Sequence, residues 1–60
     1  MLVGIVYDYC SLHVMILSGE KRKVIFFRTE QEYQKALEMG MRIGAQVIFN
    51  NETDEIQEFF

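Results

Sequence analysis

The chain has 60 residues, half of them hydrophobic, a formal net charge of −3 and a single cysteine, Cys10. That length allows one domain, residues 1–60, with about 60% of the unfolded chain's surface buried on folding, and one thiol excludes an internal disulfide. The acidic balance argues against generic nucleic-acid binding, and no apolar run reaches the roughly 20 residues needed to cross a bilayer.

Residues 2–8, Leu-Val-Gly-Ile-Val-Tyr-Asp, are rich in β-branched and aromatic types and too short for a helix, so a strand is expected. The segment carries apolar residues on both alternating faces, Val3, Ile5 and Tyr7 against Leu2 and Val6, as in a strand covered on both sides. No basic flank precedes it, so no signal peptide is expected, and the lone thiol suits a reducing compartment, the cytoplasm of a cell or host cell. A turn over residues 8–11 leads to a second strand at residues 12–17. Ser18-Gly19-Glu20-Lys21 is the clearest turn signal, because glycine supplies the positive φ of a tight hairpin. The third strand is expected at residues 22–28, with Arg22, Val24, Phe26 and Arg28 on one face and Lys23, Ile25 and Phe27 on the other.

Thr29 followed by Glu30, Gln31 and Glu32 reads as a capping box opening a helix. Tyr33, Ala36, Leu37, Gly40 and Met41 share one face at helical spacing. Gly44 stands where a left-handed C-cap is expected, which leaves Gly40 inside the helix at a cost of about 1 kcal/mol relative to alanine. Residues 45–49 form the fourth strand and residues 50–54 a polar turn. Residues 55–60 fit a short strand with Ile56, Glu58 and Phe60 on one face, or an extended tail. The fold class is α+β: a small antiparallel sheet in β-β-β-α-β order, a possible short fifth strand, and one helix packed on one face.

Nothing in this chain is left over to cover the sheet's second face. A protein partner is therefore expected, as a homodimer or a hetero-complex. The segment Asp8-Tyr9-Cys10-Ser11-Leu12-His13 holds a nucleophile, a base and an acid, but neighbours on an extended chain point to alternate sides, so no catalytic site is expected, with Cys10 buried and His13 at the surface or an interface. Cys10 and His13 make half of one zinc-ligand set, and Asn50, Glu52, Asp54 and Glu55 lack the glycine and terminal glutamate of a calcium loop, so no metal is expected. The glycines are scattered and form no phosphate loop, so no nucleotide cofactor is expected.

Two segments are candidates for binding. The acidic end, Glu52, Asp54, Glu55 and Glu58 with Phe59 and Phe60, resembles a charged rim around an apolar anchor, suited to a protein partner. The leading expectation is thus a small non-enzymatic protein-binding factor, a virus- or mobile-element-encoded inhibitor or adaptor, acting through an exposed sheet face, a strand edge or the acidic tail. The alternative is a nucleic-acid-binding module that uses Lys21, Arg22, Lys23 and Arg28 beside an exposed phenylalanine. The same basic residues also serve as gatekeepers around an aggregation-prone Val-Ile-Phe-Phe run.

Overall fold

In the computed structural model, which describes residues 1–60, the chain forms β1 (Leu2–Tyr9), β2 (His13–Ser18), β3 (Lys21–Phe26), α1 (Glu30–Glu38), β4 (Gln46–Asn50) and β5 (Glu55–Phe59). The five strands make one antiparallel sheet in the order β3-β2-β1-β4-β5. The α+β architecture is as the sequence indicates, and the final segment is a strand. β1 is the central strand, because the chain leaves β3 through the helix and returns on the far side of β1. Strands one to four therefore lie in the spatial order of a Greek key.

Alternation sorts the strand residues into a covered and an uncovered face. Val6, Val14, Ile16, Val47 and Phe49 are wholly buried beneath α1, joined by Ile25, Ala36, Met41, Ala45 and Phe59. Tyr33 and Leu37 of the helix pack against this cluster, with the Tyr33 ring 5.7 Å from that of Phe27. No polar side chain is buried. Gly4 lies on the covered face of β1, where a Cβ would overlap Ile16 Cγ2 and stand 2.9 Å from the Leu17 carbonyl oxygen. Its missing side chain lets Ile16 lie across the central strand.

The helix opens as expected and closes earlier. Thr29 Oγ1 accepts the Glu32 amide at 3.2 Å, while the Glu32 carboxylate accepts from the Arg28 amide at 3.3 Å, one residue before the reciprocal position of a capping box. At the other end the stop is Gly40, not Gly44. Gly40 takes φ 104°, its amide donates to the Leu37 carbonyl, and the Met41 amide donates to that of Ala36, both at 3.1 Å. This pair of bonds is a Schellman motif. Gly40 thus terminates the helix instead of weakening its interior, and Gly44 falls in the following turn, where Ala45 donates to the Arg42 carbonyl.

Two bulges break the period-two pattern in the same way. In β1, Val6 faces Ile16 and Asp8 faces Met15, so Tyr7 is the extra residue. In β5, Phe49 faces Ile56 and Ile48 faces Glu58, so Gln57 is extra. Each insertion reverses the alternation beyond it, turning an aromatic ring inward (Tyr9, Phe59) and an acid outward (Asp8, Glu58). The expected shared face of Ile56, Glu58 and Phe60 is overturned by this reversal: Ile56 and Phe59 pack on the core, with Phe59 only 8% exposed.

Candidate interaction surface

The face opposite α1 is laid out in cross-strand rows. Arg22, Leu17 and Ile5 are consecutive partners on β3, β2 and β1. Gln46 of β4 continues the row, followed by Phe60, which exchanges two backbone hydrogen bonds with Gln46 at 2.8 Å each. To one side lie Val3, Ile48 and Glu58. To the other lie Asp8, Met15 and Val24, then His13 and Phe26. Val3 is 54% exposed, Ile5 47%, Leu17 42% and Phe26 69%. Ten large apolar side chains are exposed in all, as many as the ten apolar residues that form the core.

This face carries few charges, and their placement is uneven. The Arg22 guanidinium stands 6.0 Å from the Tyr7 ring centroid, within cation–π range. It is the one basic side chain among the paired residues of the face, at the β3 edge, whereas Glu58 marks the β5 edge. The His13 and Phe26 rings are tilted at 54° with centroids 5.7 Å apart.

The basic set is thereby dispersed. Arg22 is on the uncovered face, whereas Lys23 points to the helix side and pairs with Asp54 at 2.6 Å. Lys21 lies at the β2–β3 turn. Arg28 falls beyond the end of β3, which stops at Phe26, and is not a strand residue as expected.

The acidic set is dispersed as well. Glu52, Asp54 and Glu55 border a groove of about 780 Å³ between β3, α1 and the β4–β5 turn. Its floor includes Ile25, Ala36 and Ile56, and Arg28, Glu32 and Lys35 complete its charged rim. Asn50 shapes the turn, its Oδ1 accepting the amides of Glu52 and Thr53 at 2.8 and 3.2 Å. Glu58 and Phe60 belong instead to the uncovered face, and Phe59 is in the core. An anchor formed by Phe59 and Phe60 together is therefore excluded; only Phe60 is free to contact another molecule.

At the β1–β2 turn, Cys10 is exposed rather than buried. Its sulfur meets His13 Nδ1 at 3.4 Å and accepts the Leu12 amide at 3.4 Å. The two meet because Cys10 lies in the turn, outside the regular alternation of an extended strand. Asp8 is not part of this pair, its Oδ1 being bonded to the Tyr9 amide. No group of three or more His, Cys, Asp or Glu residues is close enough to hold a metal ion. No helix is long and apolar enough to cross a membrane.

The uncovered sheet is a surface that sequence reasoning located only in outline, from the two-sided apolar pattern of residues 2–8; Leu17, Val24, Ile48 and Phe60 join it through strand order. Comparison of the chain with protein-family models, with curated proteins and with solved structures finds no match.

Proposed function

We propose that the chain is a protein-binding factor, an inhibitor or adaptor, that docks through the uncovered sheet face. The observation that supports this is the apolar row left uncovered on the sheet: Val3, Ile5, Leu17, Phe26 and Phe60 are all exposed large apolar side chains on that face. Contiguous apolar surface of this kind marks interaction sites on soluble domains, and here it is rimmed by Arg22, Asp8 and Glu58. The test is capture of binding proteins from a nuclease-treated source lysate. The wild-type chain is compared with Leu17→Glu and with a Glu52→Gln/Glu55→Gln variant, each checked for folding by circular dichroism. Loss of a stoichiometric protein with Leu17→Glu alone supports the sheet face. Loss with the glutamine pair alone moves the site to the groove rim.

A second reading has its own observation: Phe26 is the most exposed strand aromatic, beside His13, with Arg22 over Tyr7 on the same face. Partly open Greek-key barrels of five strands bind oligonucleotides on the face of their second and third strands, although a shared architecture assigns no function. This reading expects a labelled single-stranded oligonucleotide to bind with an affinity that falls steeply with salt. It also expects Phe26→Ala to lose about 1–3 kcal/mol of stacking. Fluorescence anisotropy that shows no binding at low salt removes it.

A further inference from the structure

The sheet has two free edges, β3 and β5, and these strands are not paired with each other. Every neighbouring pair is antiparallel, so β3 and β5 run in the same direction. The sheet curls enough for the edges to approach, since Lys23 of β3 meets Asp54 just before β5. We propose that the groove along β3 receives an extended segment of another protein, which joins the sheet as a sixth strand antiparallel to β3 and sets one apolar side chain against Ile25. The site is separate from the uncovered face and does not depend on docking there.

The backbone of β3 dictates what the occupant must offer. The Phe27 amide donates to the Leu12 carbonyl at 2.9 Å, which makes these two residues a hydrogen-bonded pair across β2 and β3. Such pairs alternate along an antiparallel ladder. Ile25, opposite Val14, and Lys23, opposite Ile16, are therefore bonded to β2 as well. Val24 and Phe26 lie between them, and their N–H and C=O groups point out of the edge. A row of this kind is a template for a further strand. β3 has neither a bulge nor a proline to disable it, whereas β5 is bulged at Gln57.

The groove supplies the side-chain half of the site. On an added strand, the residues opposite Val24 and Phe26 exchange backbone hydrogen bonds with them. The residue between these two stands opposite Ile25 and points to the same side of the sheet. That side is the groove floor, where Ile25, Ala36 and Ile56 form an apolar bed in a volume of about 780 Å³. A bulky apolar side chain at this position is the feature the site selects. The residue opposite Phe26 lies beside a ring that is 69% exposed. The next inward position, opposite Lys23, meets the ion pair with Asp54, so the recognised segment is short. A strand antiparallel to β3 is antiparallel to β5 too, which is the more stable pairing.

The test uses the isotope-labelled 60-residue chain and a capped heptapeptide of serine and threonine with isoleucine at its centre. Nuclear magnetic resonance during the titration reads amide shifts and hydrogen exchange. The Val24 and Phe26 amides are expected to shift and to exchange more slowly as peptide is added. Aspartate in place of the central isoleucine should weaken binding about tenfold or more, as should N-methylation of the two residues that flank it. Val24→Pro removes an outward amide while sparing the bonds to β2, and should weaken binding about tenfold with its fold confirmed by circular dichroism. If that variant does not fold, the N-methylated peptide decides the same point. Leu17→Glu, on the uncovered face, should leave binding unchanged. Absence of any shift at several millimolar peptide overturns the proposal, as does binding indifferent to N-methylation or lost with Leu17→Glu. Protection of the Val24 and Phe26 amides that grows with protein concentration alone makes the occupant a second copy, which also overturns it.

Discussion

The two faces of the sheet are built from alternate residues of the same strands, yet they differ in what they do for the fold. Phe49 is fully buried while its neighbour Ile48 looks out on the opposite side. Val6 is sealed beneath the helix, and Ile5 beside it stays nearly half exposed. Residue type is not the cause, because both faces are apolar. The difference is one nine-residue helix, which covers a single side. Hydrophobicity in a strand therefore announces that a face is to be covered, and the rest of the chain decides whether the cover is internal.

The comparison breaks most directly through Phe49. Phe49→Ala should cost about 3–5 kcal/mol, enough to unfold much of a domain this small, as read by urea denaturation. Val3→Thr, made on the uncovered face and measured in dilute solution, should change stability by about 0.5 kcal/mol or less. Similar losses at both positions would mean that the uncovered face already contributes to the isolated fold. Gly4→Ala sharpens the contrast from the backbone. Its added methyl meets Ile16 and the Leu17 carbonyl, and overpacking of this kind costs about 1–3 kcal/mol; a neutral result in thermal melts would show that β2 can shift away. The smallest effect is expected at the groove. Asp54→Asn removes the partner of Lys23 while keeping a residue suited to φ 61°. Both side chains are partly solvated, so the cost should be about 1 kcal/mol at most and should vanish at high salt.

Much of the fold was legible because local chemistry agreed with the outcome. The apolar run at residues 2–8, the Ser18-Gly19 turn and the Thr29 cap each name an element through a mechanism that acts within a few residues. The helix stop was misplaced because Gly40 and Gly44 are both glycines with positive φ. Which one ends the helix depends on where Met41 can reach the core. The reversed alternation after Tyr7 and Gln57 was hidden for a related reason: a bulge is a relation between two strands. Its trace in the sequence is the three-residue spacing of Val6 to Tyr9 and of Ile56 to Phe59, which breaks the expected two. The candidate site was less legible still. Clusters that are contiguous in sequence, such as Lys21-Arg22-Lys23 and Glu58-Phe59-Phe60, are split between faces. The uncovered surface gathers residues from all five strands.

The central place of β1 has a consequence in time. During synthesis its first partner follows at once, since β2 and β3 are the next segments made. The other edge of β1 must wait for β4, whose Phe49 pairs with Leu2. At about 5–20 residues per second, that edge stays unpaired for roughly 2–8 s after Tyr9 is added. Once β3 has been added, the nascent meander exposes both apolar sides and the open flank of β1, and it is most exposed to mispairing before the helix has been made.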